Sequence, residues 1–368
     1  MIRPAPAIDA IAPMTPFIGP EQLMRETGRS ELVRLGANES AFGPSPNAVA
    51  AMAAELERLS WYGDPESYQL REALARKHGC RVEEVLVGAG IDDLMGLVVR
   101  AFVAPGGAAL TTRGSYPTFN YHVHGYGGRL VFADYLPDGR LDFDQLAAVA
   151  ARERAAVVYV ANPDNPSGTF AGKDAMLRLF EALPRDAVFL LDEAYADFVD
   201  EAALLPMYVE DRLIRTRTFS KAYGMAGGRI GYAIASERVN GILQKIRLQY
   251  GVNRNAQIGA LASLADEPFR RHVVDAVATA RGDYYALARE LGLGAIDSST
   301  NFVCIDLGDA ARATTVMNEL LARGVWIRKP GLPPLDRFVR VSAGTPPQRE
   351  AFARAFREVL AAVPSVSA

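Results

Sequence analysis

A chain of 368 residues is long enough for one large domain and a second, smaller one. Its hydrophobic content of 49% and charged content of 23% are ordinary for a globular protein, and a net charge of −3 gives no general attraction to nucleic acid or anionic membranes. Because no apolar run approaches about 18 residues and the amino-terminal segment lacks the pattern of a signal peptide, we expect a cytoplasmic protein.

The chain begins with a proline-rich arm, predicted over residues 1–37 because closely spaced prolines prevent a long helix. An alanine-rich helix is predicted from Pro46 to Leu59. Apolar runs then alternate with helical patterns, which predicts an α/β domain over residues 38–255, with a mostly parallel seven-stranded sheet flanked by helices. The predicted strands are Val85–Gly88, Ala108–Thr112, Leu130–Asp134, Ala156–Ala161, Val188–Asp192, Leu213–Phe219 and Tyr232–Ala235.

The pattern changes near residue 255 and predicts a small α+β domain over residues 256–368. A single charged helix is expected from Ala260 to Glu290. The other elements predicted for this domain are strands at Asn301–Leu307, Val325–Arg328 and Phe338–Ser342 and helices at Ala313–Arg323 and Pro347–Ala362.

Cysteines and histidines are few and give no sign of a metal site. Cys80 and Cys304 lie far apart without metal-ligand spacing, which is typical of a reducing compartment. His122 and His124 flank one residue, but no third ligand accompanies them. We therefore expect no bound metal.

The segment RTFSKAYGMAGGRIGY, Arg217 to Tyr232, carries the strongest indication of chemistry. It places Ser220 and Lys221 at the end of a predicted strand and Arg229 eight residues beyond the lysine. A lysine can supply a Schiff-base nitrogen to an aldehyde, and an arginine offers a planar fork to phosphate oxygens. The chain keeps only five lysines against thirty-five arginines, which favours a need for an amine at this position over an incidental surface lysine.

The strand Val188–Asp192 ends in a carboxylate, at the edge where open α/β sheets place their ligand sites. A carboxylate there can pair with a pyridinium nitrogen and keep it protonated, so that the ring acts as an electron sink. Tyr195, three residues further on, is near enough to reach a hydroxyl of the same ring. The alternative interpretation of Asp192 is an ordinary helix N-cap.

A third strand ends in the turn NPDNPSG, Asn162 to Gly168. Its prolines and glycine fix an irregular loop, so that the Asn165 amide projects at the same edge of the sheet. An amide donor suits a phenolate oxygen on a ring. The order of the three segments, rather than the turn alone, makes this interpretation specific.

Taken together, these segments resemble the pyridoxal-phosphate aminotransferases of fold type I, and among them the histidinol-phosphate aminotransferase branch. The resemblance extends over most of the chain, since eight motifs occur in the order of the family. These are LGANESAFGPSP (Leu35–Pro46), YGDPESYQLREALA (Tyr62–Ala75), VLVGAGIDDL (Val85–Leu94), YPTFNY (Tyr116–Tyr121), ANPDNPSGT (Ala161–Thr169), LLDEAY (Leu190–Tyr195), TFSKAYGMAGGRIGY (Thr218–Tyr232) and FVRVSAGT (Phe338–Thr345).

The resemblance implies pyridoxal 5′-phosphate as cofactor and gives each matched residue a role. Lys221 matches the lysine that carries the cofactor and later moves a proton, and Asp192 matches the partner of the ring nitrogen. Asn165 and Tyr195 match the groups on the ring oxygen. The remaining cofactor positions are matched by Phe119 over the ring and by Ile91, Asp92, Ser220 and Arg229 at the phosphate.

Substrate and subunit roles follow from the same resemblance. Tyr62 matches a tyrosine that reaches the phosphate of the neighbouring subunit's cofactor, which implies a homodimer with shared sites. Arg340 matches the arginine that binds the anionic group beside the reacting amine, and Asn38 matches a position near the substrate. An amino donor and a 2-oxo acid such as 2-oxoglutarate are the implied substrates, exchanged by ping-pong transamination.

The identity of the amino donor stays open at this point. Arg328 matches the arginine that binds the phosphate of histidinol phosphate, but it could equally be a solvated charge at a strand end. Ser40 stands where some members have a tyrosine, and the proline-rich connection 329–336 departs from the usual loop. An aromatic amino acid is therefore an alternative donor, and decarboxylation of an amino acid phosphate is an alternative reaction. A non-catalytic DNA-binding regulator is disfavoured, because the arm is too short and too rich in proline for a helix-turn-helix.

Overall fold

A seven-stranded sheet forms the centre of the computed structural model, which describes residues 2–11 and 17–363. The strands in chain order are β1 (Val33–Arg34), β2 (Val85–Gly88), β3 (Ala108–Thr112), β4 (Arg129–Ala133), β5 (Val157–Ala161), β6 (Val188–Asp192), β7 (Leu213–Thr218), β8 (Gly231–Ile234), β9 (Phe302–Asp306), β10 (Val325–Trp326) and β11 (Phe338–Ser342). All seven strands predicted for the large sheet are present, with ends within one residue of the expected ones.

Helices cover both faces of this sheet and build most of the rest of the chain. They are α1 (Pro6–Asp9), α2 (Pro20–Thr27), α3 (Pro46–Glu55), α4 (Tyr68–His78), α5 (Ile91–Phe102), α6 (Thr118–Gly125), α7 (Phe143–Glu153), α8 (Lys173–Ala182), α9 (Glu237–Gln244), α10 (Arg254–Ala265), α11 (Glu267–Glu290), α12 (Ala310–Ala322) and α13 (Pro346–Ala362). The predicted helix from Pro46 ends at Glu55 and continues only as a 3-10 turn to Arg58.

The strand order is β2-β8-β7-β6-β5-β3-β4. Strands β4, β3, β5, β6 and β7 run parallel to one another, whereas β8 runs antiparallel to both β7 and β2. The mostly parallel sheet expected from the sequence is therefore confirmed, with β8 as its antiparallel member. The carboxyl ends of β5, β6 and β7 consequently lie side by side at one edge.

The central strands are apolar on both sides because helices pack on both faces of the sheet. Along β5, Val157 and Tyr159 belong to the core on one face, whereas Val158 and Val160 belong to the core on the other. This two-residue alternation is the periodicity of a strand. The run is continuously apolar in sequence because neither face meets water.

The carboxyl-terminal part forms a separate core around an antiparallel pair, β9 and β11. The helix predicted over Ala260–Glu290 is wrong as a single element, since α10 ends at Ala265 and α11 begins at Glu267. The carboxylate of Asp266 accepts the backbone N–H of Phe269 at 3.3 Å, and Pro268 lies in the first turn of α11. An aspartate cap followed by proline starts a new helix rather than continuing the old one.

The amino-terminal arm is tied to this carboxyl-terminal part. Strand β1, within the predicted arm, pairs in parallel with β10, so that Val33 lies opposite Val325. The ranges of the three domains remain predictions, and residues 1, 12–16 and 364–368 of the predicted arm and small domain lie outside the described residues. None of the described helices is long and apolar enough to cross a membrane.

Candidate active site

The candidate site begins with Asp192, the last residue of β6, which is 5% exposed. Its Oδ1 accepts the backbone N–H of Ala194 at 2.9 Å, and its Oδ2 accepts the phenol hydroxyl of Tyr159 at 2.8 Å. Burial raises the pKa of Asp192 to about 7, against the opposing effect of these two hydrogen bonds. The N-cap interpretation is wrong, because no α-helix begins directly after Asp192 in the described chain: the next element is a 3-10 turn, Ala196–Phe198, and the residue before that turn is Tyr195.

Lys221 follows β7 and approaches the site from the neighbouring strand. Its Nζ donates to the backbone carbonyl of Asn38 at 3.0 Å and lies 5.5 Å from the centre of the Tyr195 ring. Burial, and after it the positive charge of Arg340, lower the pKa of Lys221 to about 8. A substantial fraction of this amine is therefore neutral near physiological pH.

Tyr195 and Asn38 form the wall beside the lysine. The Tyr195 hydroxyl accepts the Asn38 side-chain amide at 3.0 Å, and the Asn38 side-chain oxygen accepts the Ser342 hydroxyl at 3.1 Å. Burial raises the pKa of Tyr195 to about 12, although Arg340 and the Asn38 amide oppose the rise. The phenol is thus a hydrogen-bond donor at neutral pH, as a partner of a ring oxygen should be.

Arg340 and Asn165 are joined directly, although 175 positions separate them in the chain. The Arg340 Nη1 donates to the Asn165 side-chain oxygen at 2.6 Å, and its Nη2 donates to the backbone carbonyl of Gly36 at 3.3 Å. The guanidinium carbon lies 5.2 Å from the centre of the Phe302 ring, and its Nε is buried without a hydrogen-bond partner in the described residues. The guanidinium therefore keeps capacity for an anion.

The Asn165 loop is ordered by the neighbouring residue Asp164. Asp164 is fully buried and accepts hydrogen bonds from the Tyr135 hydroxyl at 3.1 Å and from the Ser167 hydroxyl at 2.7 Å. Burial raises the pKa of Asp164 to about 6. The position of this carboxylate in a turn-rich motif gave no sequence signal, since aspartate is common in turns.

Arg229 approaches the amino-terminal end of α5. The Arg229 Nη2 is 3.5 Å from the Asp92 carboxylate. A Cβ added to Gly90 would lie 2.7 Å from the same nitrogen and would displace the guanidinium, and the φ of +88° itself favours glycine at this position. Helix α5 begins at Ile91, and backbone N–H groups of a first turn favour anions. Ser220, which precedes Lys221 in the chain, is buried, and its hydroxyl accepts a hydrogen bond from the Thr218 hydroxyl at 3.0 Å.

Phe119 and Tyr62 have surroundings that the sequence did not predict. The Phe119 ring is fully buried and stacks on Tyr159, with ring centres 4.9 Å apart and planes at 16°. Tyr62 is 76% exposed and stacks on Tyr250 at 4.4 Å. Among the described hydrogen bonds and ring contacts, none joins Tyr62 to the other predicted site residues of its own chain.

Arg328 is enclosed by aromatic rings rather than solvated, so the interpretation as a free charge at a strand end is wrong. Its guanidinium carbon lies 3.9 Å from the centre of the Phe17 ring and 5.6 Å from that of Trp326. Its Nη2 donates to the backbone carbonyl of Ile18 at 2.6 Å. Burial, and after it the positive charge of Arg340, lower the pKa of Arg328 to about 10. The guanidinium groups of Arg328 and Arg340 therefore lie close enough for one charge to act on the other.

The residues fit pyridoxal 5′-phosphate by their chemistry. Lys221 is an amine of lowered pKa, and Asp192 is a buried carboxylate at a strand end. Gly90 leaves room for Arg229 at a helix amino terminus, which suits a phosphate. The described residues contain no group of three or more His, Cys, Asp or Glu side chains placed to bind a metal ion.

Comparison with known proteins gives the class directly. Residues 30–356 match the family model described as aminotransferase class I and II, and the chain belongs to this family. The resemblance stated from the motifs is thereby confirmed, and the match favours transamination over the decarboxylase alternative.

Histidinol-phosphate aminotransferases are among the relatives that this chain resembles. The histidinol-phosphate aminotransferase of Moorella thermoacetica is 34% identical over 363 residues, which cover 96% of this chain and 92% of the relative. That of Roseiflexus castenholzii is also 34% identical, over 96% of this chain and 97% of the relative. The solved structure of histidinol-phosphate aminotransferase from Sinorhizobium meliloti in complex with pyridoxal 5′-phosphate superposes with a TM-score of 0.95, at 39% identity over 99% of both chains.

Proposed function

We propose that this chain transfers an amino group from histidinol phosphate to 2-oxoglutarate with pyridoxal 5′-phosphate as cofactor. The observation that carries the proposal is the convergence of Lys221, Asp192 and Arg340 at one sheet edge. Lys221 supplies an amine of lowered pKa, Asp192 a buried carboxylate and Arg340 an available guanidinium. The names of relatives that are 34–39% identical over nearly the whole chain support the choice of donor.

Each residue has a defined task in this proposal. Pyridoxal 5′-phosphate, when bound, supplies a ring that accepts the electron pair released at the substrate Cα. The Lys221 amine takes the proton from the substrate Cα and delivers it to the cofactor carbon that exchanges the amino group. The lowered pKa of the amine favours this proton transfer near neutral pH. The Asp192 carboxylate holds a proton at the ring nitrogen. Asn165 and Tyr195 donate hydrogen bonds to the ring oxygen.

The anionic groups of the cofactor and the substrates are assigned to the remaining residues. Arg229, Ser220 and the first turn of α5, from Ile91 and Asp92, are proposed to bind the cofactor phosphate. Phe119 is proposed to contact the cofactor ring, and Asn38 to border the substrate.

Arg340 and Arg328 are proposed to bind the anionic group of the donor together, since they form neighbouring positions of an antiparallel bridge. Histidinol phosphate carries its one anionic group, a phosphate, on the carbon next to the Cα that bears the reacting amine. Arg340 is proposed to bind this group because its guanidinium fork suits an anion in two-point contact, and Arg328 is proposed to bind the further phosphate oxygens. An aromatic amino acid carries only the smaller carboxylate at that position. The two donor classes therefore differ in their need for Arg328.

The donor is tested by comparing kcat/KM for histidinol phosphate and for phenylalanine in the parent and in Arg328→Ala. Loss of one charge-assisted hydrogen bond costs about 1.5–3 kcal/mol, so we expect a loss of about 10- to 100-fold for histidinol phosphate alone. Arg340→Lys, the control at the other guanidinium, should weaken both donors. If kcat/KM for histidinol phosphate is the same in Arg328→Ala and the parent, and kcat/KM for phenylalanine is higher than that for histidinol phosphate, the enzyme would be reassigned to aromatic amino acids.

We also propose a homodimer with shared sites and a cytoplasmic location. Support for the dimer comes from an exposed apolar face formed by Leu59, Trp61, Tyr62, Leu248 and Tyr250, which are 54–76% exposed. Large exposed apolar patches mark interaction sites, and the matched role of Tyr62 points to a second copy of this chain. The two free cysteines support a reducing compartment.

Subunit complementation tests the dimer. Chains of Lys221→Ala and Tyr62→Ala, each inactive or nearly so, should regain part of the activity when they are unfolded together and refolded as a mixture. Activity returns because a mixed dimer contains one site with both residues intact. A fully active monomer in sedimentation would contradict the proposal, as would a mixture no more active than its components.

A further inference from the structure

Tyr159 is the only polar side chain in β5, whose other residues are valines and an alanine. It is fully buried, and its hydroxyl lies 2.8 Å from Oδ2 of Asp192. An ionised carboxylate can only accept hydrogen bonds, so the phenol is the donor. Burial and the neighbouring Asp192 raise the pKa of Tyr159 well above that of an ordinary tyrosine, and it stays a donor at neutral pH.

The contacts of Tyr159 reach two predicted cofactor residues at once. The hydroxyl and the backbone N–H of Ala194 hold one carboxylate oxygen each, which fixes the rotation of the Asp192 side chain. The Tyr159 ring is stacked on Phe119. A side chain anchored at both its ring and its hydroxyl has little freedom to move.

We propose that Tyr159 is a positioning residue for the reaction, which orients the Asp192 carboxylate and keeps it ionised so that a proton shared with the cofactor stays on the ring nitrogen. This inference rests on the proposed function, because it assumes that Asp192 faces the cofactor ring. A hydrogen bond donated to a carboxylate stabilises its charged form and weakens its hold on a proton. Without the phenol, the shared proton moves from the ring nitrogen towards the carboxylate.

The electrostatic surroundings of Asp192 agree with this role. Burial raises its pKa, the Tyr159 hydroxyl and the Ala194 N–H lower it, Asp92 raises it and Lys221 lowers it. Among side chains, Tyr159 therefore makes the leading contribution that favours the charged form. It acts on Asp192 without contacting the reacting atoms.

The first test measures the titration of the Asp192 carboxyl in the cofactor-free protein by carbon NMR, with Asp192→Asn to assign the resonance. Tyr159→Phe keeps the ring and removes only the hydroxyl, so the pKa of Asp192 should rise by about one pH unit or more. Replacement of Tyr159 by 3-fluorotyrosine, a stronger donor that keeps the hydroxyl, should lower it. The 3-fluorotyrosine variant tests whether the Tyr159 hydroxyl sets the pKa of Asp192 even if Tyr159→Phe does not fold.

Tyr232→Phe is the matched control. It also removes a buried phenol from the same sheet, one that is hydrogen-bonded to His78 at 2.8 Å rather than to Asp192. It should leave the Asp192 titration unchanged. An unchanged pKa in both Tyr159 variants would overturn the proposal, and so would an equal rise in Tyr232→Phe.

The second test uses protein loaded with pyridoxal 5′-phosphate that carries nitrogen-15 in its ring. The ring-nitrogen resonance should lie near the pyridinium position in the parent and in Tyr232→Phe, and move towards that of neutral pyridine in Tyr159→Phe. A parent that binds no cofactor would refute the proposed function. A pyridinium resonance that Tyr159→Phe leaves in place would instead refute the role of Tyr159 alone.

Discussion

The lowered pKa of Lys221 can be measured directly because the chain has so few lysines. The pKa of about 8 leaves about a quarter of the amine neutral at pH 7.5, whereas an ordinary lysine with a pKa of 10.5 would be about one-thousandth neutral. The structure therefore predicts a gain of more than about 100-fold in neutral amine. This neutral form is the one that reacts with an aldehyde and accepts a proton.

The assay is a pH titration of lysine side chains labelled with carbon-13, followed by NMR in the cofactor-free protein. Only five lysine resonances are expected, and the one lost in Lys221→Met should titrate near pH 8. Arg340→Gln should move this midpoint upward, because a positive charge beside an ammonium group lowers its pKa. Arg328→Gln is the matched control and should move it less, since its guanidinium is held against Phe17.

Two outcomes would refute this reasoning. A Lys221 resonance that titrates above pH 10 would mean that burial does not penalise its charged form. A midpoint that Arg340→Gln and Arg328→Gln move equally would mean that a general change in charge, rather than the adjacent guanidinium, acts on the amine.

Two further substitutions test the groups around Asp192. Asp192→Asn should leave the fold intact and slow turnover by several orders of magnitude; a rate within about tenfold, or 1.4 kcal/mol, of the parent would contradict its role. Glu193→Gln should lower the free energy of unfolding by about 3–5 kcal/mol in urea, because Arg215, 1% exposed and 3.0 Å from Glu193 through its Nε, loses its counter-charge. The control Glu290→Gln breaks an exposed pair with Arg357 and should cost about 1 kcal/mol or less.

The sequence predicted the sheet and the three strand ends because both depend on local patterns. Runs of four to six residues rich in apolar and β-branched side chains predicted the strands, and the residues that follow parallel strands must meet at one edge. Asn165, Asp192 and Lys221 were placed on this basis. Their roles came from the resemblance to a family, because residue spacing alone does not reveal what each side chain does.

The features that the sequence did not reveal depend on contacts between distant residues. The hydroxyl of Tyr159 lies within an apolar run, where a tyrosine is most simply interpreted as core. The stacking of Arg328 on Phe17 joins residues more than 300 positions apart. The break at Asp266 was a missed local signal, because an aspartate followed by glutamate and proline is a typical helix start.

The measurement that tests the central claim most directly is the formation of glutamate from 2-oxoglutarate and histidinol phosphate by protein loaded with pyridoxal 5′-phosphate. The parent should form glutamate in proportion to the donor consumed, and Lys221→Ala should form none above background. Turnover in Lys221→Ala at near the parent rate, or no amino transfer by the loaded parent from any amino donor, would contradict the account.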